Sequence, residues 1–378
     1  MSELLLIIWE NIGGNMKTVC AKSMCAGCMA CVDICPRHAI SIEDTLKEYN
    51  ALIDEEKCIE CNLCHNTCPV NYTPELRKPV EWYEGWAEAS IRKSSSSGGA
   101  ATAFILAFEG IICSCVFREG RFIFEFDEGD RKKFAGSKYI KSNPKGAYKN
   151  ILKKLKEGNK VLFVGMPCQC AAVINYTKNH RSLYTIDLIC HGSPSPQLLD
   201  IYLKEKGLEI EKISNIKFRR KARFGLNSEH VEIVPPRVMD SYTYAFLKSL
   251  DYTENCYLCK YARLERVTDI TIGDSWGSDL DIGEQEKGIS LVLCQTEKGK
   301  ELIEKSGLIL KDVNLDKATE VNHQLSQPSI APKCRNKFFS NLGVGFNEAI
   351  SAVYPKFYYK QKLKIAMIRF GLLKSKSD

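Results

Sequence analysis

Two stretches of this chain repeat one spacing of cysteines without deviation. Cys25, Cys28, Cys31 and Cys35-Pro36 follow the pattern C-x2-C-x2-C-x3-C-P, and Cys58, Cys61, Cys64 and Cys68-Pro69 repeat it. The two-residue spacing lets three successive thiolates converge from one tight loop while nearby backbone N–H groups bond the sulfurs, and a fourth thiolate comes from elsewhere. These are the requirements of a [4Fe–4S] cubane. In two-cluster modules the last cysteine of each run ligates the other cluster. One cluster is therefore expected on Cys25, Cys28, Cys31 and Cys68, and the other on Cys58, Cys61, Cys64 and Cys35. Structural zinc also uses paired C-x2-C, but it does not account for eight cysteines in two triplet-plus-Cys-Pro runs. Cys20 matches no ligand position and reads as a spare thiol.

Eighteen cysteines in 378 residues have to be explained by metal or by disulfides. Disulfide scaffolds are usually short secreted chains, whereas this one is long and charged. Its start has an acid, Glu3, in place of a basic region, and the apolar run Leu4 to Trp9 is too short for a signal core. A cytoplasmic protein is expected. Residues 1–16 read as an N-terminal extension, because a second start-like Met16-Lys17 stands just ahead of the cysteine block. The longest apolar stretch, Gly98 to Phe117, is broken by Glu109-Gly110 and turns strand-like there, so it reads as buried core and not as a membrane span. The net charge is +7, but residues 354–378 hold seven Lys/Arg against one acid, so the body is nearly neutral. No nucleic-acid motif appears, and no nucleic-acid partner is expected.

Composition divides the chain. Residues 17–76 are cysteine-dense and end at the turn-rich Asn71-Tyr72-Thr73-Pro74, with Pro79 in the linker that follows. Between the cysteine runs, Ala39–Ile42 and Ala51–Ile53 read as short strands, so each half has a cysteine loop, a turn and a strand. This segment resembles bacterial two-cluster ferredoxins over its whole length. Residues 80–160 begin with Trp82, Tyr83 and Trp86, pass through a Ser/Gly cluster into an apolar helix Ala100–Glu109, and continue as strands Ile111–Phe117 and Phe122–Phe126. Residues 161–330 carry α/β grammar. The amphipathic helix Ala147–Glu157 stops at Gly158-Asn159 ahead of a strand at Lys160–Val164, and Leu183–Ile189 is followed by a cysteine loop and a helix Pro196–Lys206. Later strands are expected at Asp269–Ile272 and Ser290–Cys294. Residues 331–378 form a helical basic tail, where Leu363, Met367 and Phe370 recur at helical spacing among Lys360, Lys362, Lys364 and Arg369. That helix either packs on the body or contacts an anionic membrane surface or an acidic partner.

Six short strings stand in order along the second region: Ser95-Ser96-Ser97-Gly98-Gly99, Gly136-Ser137-Lys138-Tyr139, Gly165-Met166-Pro167-Cys168-Gln169, Asp187-Leu188-Ile189-Cys190-His191-Gly192, Cys256-Tyr257-Leu258-Cys259, and Asp269 to Gly277. Together they resemble the beta subunit of coenzyme F420-reducing hydrogenase and dehydrogenase over residues 80–330. Members of that family are iron–sulfur flavoproteins that bind FAD and pass electrons between clusters and an organic acceptor. The fold this implies is an α+β ferredoxin-like two-cluster module followed by an α/β, mixed-sheet, flavoprotein-type domain.

Residue chemistry and resemblance together suggest the site. Ser95, Ser96, Ser97, Gly98 and Gly99 lead into a helix N-terminus that could offer N–H groups and hydroxyls to a flavin pyrophosphate; the same turn is also an ordinary serine-rich cap. Lys138 either neutralises those phosphates or is solvated. The resemblance implies a third [4Fe–4S] cluster on Cys168, Cys190, Cys256 and Cys259; zinc, unligated thiols, or a set including Cys170 or Cys294 are the alternatives. His191 is a candidate proton donor or a structural histidine. Asp274 and Trp276 could face a flavin ring or substrate, or Trp276 could simply be packed. Phe218-Arg219 and Lys221 echo the family, and Arg219 is a candidate for an anionic substrate. The expected function is an iron–sulfur flavoprotein oxidoreductase, exchanging single electrons with a redox partner protein or ferredoxin and pairs of electrons with a small organic substrate. The alternative is a non-enzymatic electron-transfer subunit of a larger redox complex.

Overall fold

Each cysteine run folds into a loop closed by one short helix. The structure, a computed structural model, describes residues 17–373, so the extension expected at residues 1–16 lies outside the described residues. In the first half the loop leads into the helix Ala30–Ile34 and strand β1 (Ile40–Asp44); in the second, strand β2 (Tyr49–Ile53) precedes the loop and the helix Leu63–Thr67. The strands pair antiparallel, from Ile40 opposite Ile53 to Asp44 opposite Tyr49. Both helices start from a residue in the left-handed region, Met29 at φ 62° and Asn62 at φ 57°. That conformation turns the chain sharply just after the second cysteine of each run.

The larger domain is built on one eight-stranded mixed sheet. Its strands are β3 (Glu81–Trp86), β4 (Ile111–Arg118), β5 (Arg121–Phe126), β6 (Val161–Gly165), β7 (Leu183–Leu188), β10 (Ile270–Asp274), β11 (Ser290–Cys294) and β12 (Ile309–Lys311), in the order β12-β3-β11-β10-β7-β6-β4-β5. The strands β4, β6, β7 and β10 run parallel, and β5, β11 and β12 reverse direction. Every residue of β6 and β11 is buried, as expected for strands covered on both faces. The helices Ala100–Ala107 and Glu297–Lys305 contribute Phe104, Ile105, Leu302 and Ile303 to one face, and Ala147–Lys156 and Pro167–Thr177 contribute Tyr148, Ile151 and Ala172 to the other. One sheet thus runs through both residues 80–160 and 161–330. The strand β3 arises from the aromatic stretch at 82–86, whose exposed and buried positions do not alternate strictly.

A second hairpin, β8 (Lys217–Arg220) and β9 (Arg223–Asn227), joins a separate helical core. Phe218, Tyr202 and Tyr242 pack there with Phe338, Phe346, Ile350 and Tyr358, so the helices Arg335–Asn341, Phe346–Val353 and Pro355–Arg369 rest on the body. Leu363 and Phe370 stay exposed. Among the described residues no helix is long and apolar enough to cross a membrane.

The cysteine-rich module is seated on the large domain by named contacts. The Asp33 carboxylate accepts from Gly146 N at 2.7 and 2.9 Å, Asn175 Nδ2 donates to Tyr72 O at 2.7 Å, and Ser195 Oγ donates to Asp44 Oδ2 at 2.6 Å. Cys28 and Ala30 are buried in the same core as Phe163, Tyr176 and Tyr261.

Candidate functional site

The eight cysteines of the repeated runs sort into two sets of four. Cys25, Cys28, Cys31 and Cys68 are all buried, and Cys28 and Cys31 each lie within electrostatic reach of Cys25 and Cys68. Cys35, Cys58, Cys61 and Cys64 line one cavity of about 90 Å³, with Cys61 exposed. The last cysteine of each run therefore stands with the first three of the other. Backbone N–H groups already address the sulfurs at matching places: Gly27 N lies 3.4 Å from Cys25 Sγ and Glu60 N lies 3.4 Å from Cys58 Sγ. Burial pushes the Cys28 and Cys31 thiols well up, so binding iron there would release protons. Cys20 is buried against the inner set. Its hydrogen bonds to Cys25 and Cys68 lower both of those thiols, Cys68 to about 6, and raise its own.

A third set forms where three loops leave the sheet. The parallel strands β6 and β7 end at Gly165 and Leu188, and the loops beyond them carry Cys168 and Cys190. Cys168 is placed by the start of the helix Pro167–Thr177, where Pro167 needs no N–H partner and Gln169 Oε1 accepts from Met166 N at 3.0 Å. Gly192 follows His191 at φ +144°, and a Cβ there would come within 2.2 Å of the Tyr252 ring. Only glycine lets the Cys190 loop pass that ring. Cys256 and Cys259 come from the turn Glu254–Leu258 and the residue after it. All four line one cavity of about 60 Å³, together with Met24, Ala26, Pro69 and Val70 of the cysteine-rich module. Burial pushes Cys168 up to about 12 and Cys190 and Cys259 upward as well. Cys170 instead points at Ile186 O, 3.5 Å away in the core, and Cys294 pairs with Ile270 at the opposite edge of the sheet.

Among the described residues no three His, Cys, Asp or Glu side chains close on a point where one metal ion would sit. The thiols stand in fours around cavities. That donor chemistry, four sulfurs and no other ligand type in each set, fits a multi-iron cluster.

Beyond the third set, at the same edge of the sheet, lies a polar cluster. Asp274 ends β10 and takes two hydrogen bonds from the Arg219 guanidinium, at 2.6 and 2.9 Å. Arg219 also donates to Tyr139 Oη at 3.1 Å and to Ser96 O at 2.8 Å, and the Tyr139 ring stacks on Phe246 with centroids 4.5 Å apart. Lys221 donates to Arg92 O and Ser97 O, and burial lowers it to about 8. The serine hydroxyls are engaged locally: Ser95 Oγ donates to Ile91 O, Ser97 Oγ donates to Ile289 O, and Ser96 Oγ accepts from Ser137 N. A Cβ on Gly98 would stand 2.5 Å from Gly85 O, so the turn is pressed against β3. Gly99 caps the helix Ala100–Ala107. The Lys138 ammonium donates to the carbonyls of Phe134, Ala135 and Gly136. Trp276 is exposed. His191 stands in the mouth of the third cavity, its Nδ1 2.7 Å from Gln324 Nε2.

Two residues near the thiols were invisible to sequence reasoning. Lys141 is buried in the third cavity, and Tyr261 packs its ring between the inner set and the third, near Cys28, Cys68, Cys168 and Cys259, while its hydroxyl donates to Pro69 O at 3.1 Å. Neither sits in a recurring spacing. Asp187, which does belong to one of the strings, is wholly buried 3.6 Å from Arg266 and serves the core.

Against known proteins, the family model for the C terminus of the coenzyme F420 hydrogenase/dehydrogenase beta subunit matches residues 158–313, and that of the 4Fe-4S dicluster domain matches residues 24–72. An uncharacterized polyferredoxin-like protein of Methanocaldococcus jannaschii is 35% identical over 63 residues, which covers 14% of this chain and 37% of that relative's length. Among solved structures, a chain of the F420-reducing [NiFe] hydrogenase complex from Methanosarcina barkeri covers 72% of this chain and 95% of its own, at 20% identity and a TM-score of 0.46.

Proposed function

Because this chain belongs to the coenzyme F420 hydrogenase/dehydrogenase beta-subunit family and carries a 4Fe-4S dicluster domain ahead of it, we propose that it is an iron–sulfur flavoprotein oxidoreductase. When bound, iron–sulfur clusters carry single electrons and FAD pairs them for exchange with an organic substrate, of which a deazaflavin coenzyme is the class the family's name suggests. Cys35, Cys58, Cys61 and Cys64 hold the outer cluster, beside exposed Ile59, Leu63 and Tyr72, where a redox partner protein can dock. Cys25, Cys28, Cys31 and Cys68 hold the inner one. Cys168, Cys190, Cys256 and Cys259 hold a third.

The observation that carries this reading is the shared cavity, in which loop residues of the dicluster module and the third set of thiols form one wall. It makes a short route from inner cluster to sheet edge. At that edge Ser95 to Gly99, Lys138 and Trp276 are the groups assigned to the flavin. The serine hydroxyls and the Lys138 ammonium have local partners, so the turn's backbone is what this chain offers a phosphate. Asp274 and His191 flank the same space and are assigned to orienting substrate and handling its proton.

Flavin content tests the proposal. Protein purified without oxygen should release FAD on denaturation, at about one per chain. A folded, iron-replete preparation that holds no flavin and takes none up from added FAD overturns the enzyme reading in favour of a non-enzymatic relay subunit.

A further inference from the structure

Lys141 is only 3% exposed, and its side chain lines the cavity of the third thiol set. Its ammonium has three donors but makes one hydrogen bond, to Ala26 O at 3.1 Å, and lies 5.1 Å from the centroid of the Tyr49 ring. Among the described residues no carboxylate pairs with it. A buried charge left without a counter-charge costs several kcal/mol, so the folded protein must supply an anion nearby. The groups that feel this ammonium are thiols, and they belong to two different sets: Cys25 of the inner set and Cys168 of the third. Asp33 and Asp44, the carboxylates of the module that face the large domain, are spent on Gly146 N and Ser195 Oγ.

We propose that Lys141 is the shared counter-ion of the inner and third iron–sulfur sites, favouring the reduced state of both. The inference rests on the reading that Cys168, Cys190, Cys256 and Cys259 hold a cluster. A thiolate-ligated cluster becomes more negative on reduction, and cluster potentials follow local charge and hydrogen bonding. A fixed ammonium at the low-dielectric boundary between two such centres stabilises an added electron on either one. It also offsets the repulsion between them. The outer cluster, bounded by Cys35, Cys58, Cys61 and Cys64, shares no cavity wall with Lys141.

The test is a potentiometric titration of the full-length, anaerobically purified protein, followed by electron paramagnetic resonance. Lys141→Gln keeps a donor for Ala26 O but removes the charge; Lys141→Met removes both; Lys141→Arg keeps the charge. In the Gln and Met variants the ratio of reduced to oxidised inner and third clusters, at the wild-type midpoints, should fall about tenfold, a shift of about 59 mV for a one-electron couple. The outer cluster should not move, and Lys141→Arg should restore most of the change. Unshifted midpoints in an iron-replete Gln variant would overturn the proposal, and so would an Arg variant that behaves like Gln. A wild-type iron count of about eight per chain, where three clusters require about twelve, overturns the third-site reading instead, and the sharing falls with it.

Discussion

Asp251 shows how far burial alone can move a carboxyl group. It is wholly buried, neither oxygen has a hydrogen-bond partner, and burial pushes it up to about 8 against the weaker opposing pull of its own backbone and Arg335. The folded chain therefore keeps a proton that the unfolded chain loses near pH 4, so this residue's contribution to stability declines as pH rises from about 4 to about 8 and is flat above. Asp251→Asn should remove the decline. Since the amide is also a buried polar group, a net gain of about 2 kcal/mol at pH 8 is expected, read as a higher urea midpoint whose advantage shrinks toward pH 5.5. At this scale the sequence speaks only where chemistry imposes a spacing. The eight ferredoxin-type cysteines are legible because three thiolates must leave one loop. Lys141 and Asp251 are not, since a lone lysine or aspartate carries no mark of being buried.

The strands and helices were largely legible because hydrophobic pattern follows burial. Ile111–Phe117, Phe122–Phe126, Lys160–Val164, Leu183–Ile189, Asp269–Ile272 and Ser290–Cys294 all overlap strands of the one sheet. The strand β3 was not foreseen, since its aromatics owe their positions to pairing with β11 and β12 across a sheet whose order no local pattern encodes. The helix Pro355–Arg369 illustrates the limit differently. Its sequence gives a stripe of Leu363, Met367 and Phe370, yet the residues that fasten it are Tyr358, buried in the helical core, and Phe357, whose ring stacks on Tyr244 with centroids 3.5 Å apart and planes 8° apart. Phe357→Ala should therefore cost about 1–2 kcal/mol, less than for a fully buried ring because the side chain is half-buried. Faster proteolytic cleavage between residues 354 and 369, with the rest of the chain intact, is the expected signature. A cleavage rate equal to that of the parent protein would mean that the stack does not hold the helix.

For the molecule as a whole, the arrangement makes a definite statement about iron. The thiol sets run from one open to solvent, through one wholly buried, to a third bordering the cavity that both parts of the chain enclose. Because Cys28 and Ala30 share a core with Phe163 and Tyr261, removing the dicluster module would uncover the large domain's interior. The third site is therefore best tested in the full-length chain. Three filled sites require about twelve irons per chain and two require about eight. Changing Cys256 and Cys259 to serine should lower the count from about twelve to about eight and abolish one electron paramagnetic resonance signal, while the two signals of the dicluster module remain. Both cysteines lie in a single turn whose backbone is anchored independently, by Glu254 N to Lys47 O and Cys256 N to Thr253 O, so the fold should survive the change. A count of about eight in the parent protein, unchanged in the double variant, would leave the four thiols without a cluster. Stoichiometric zinc lost from the variant would assign them to a structural metal instead.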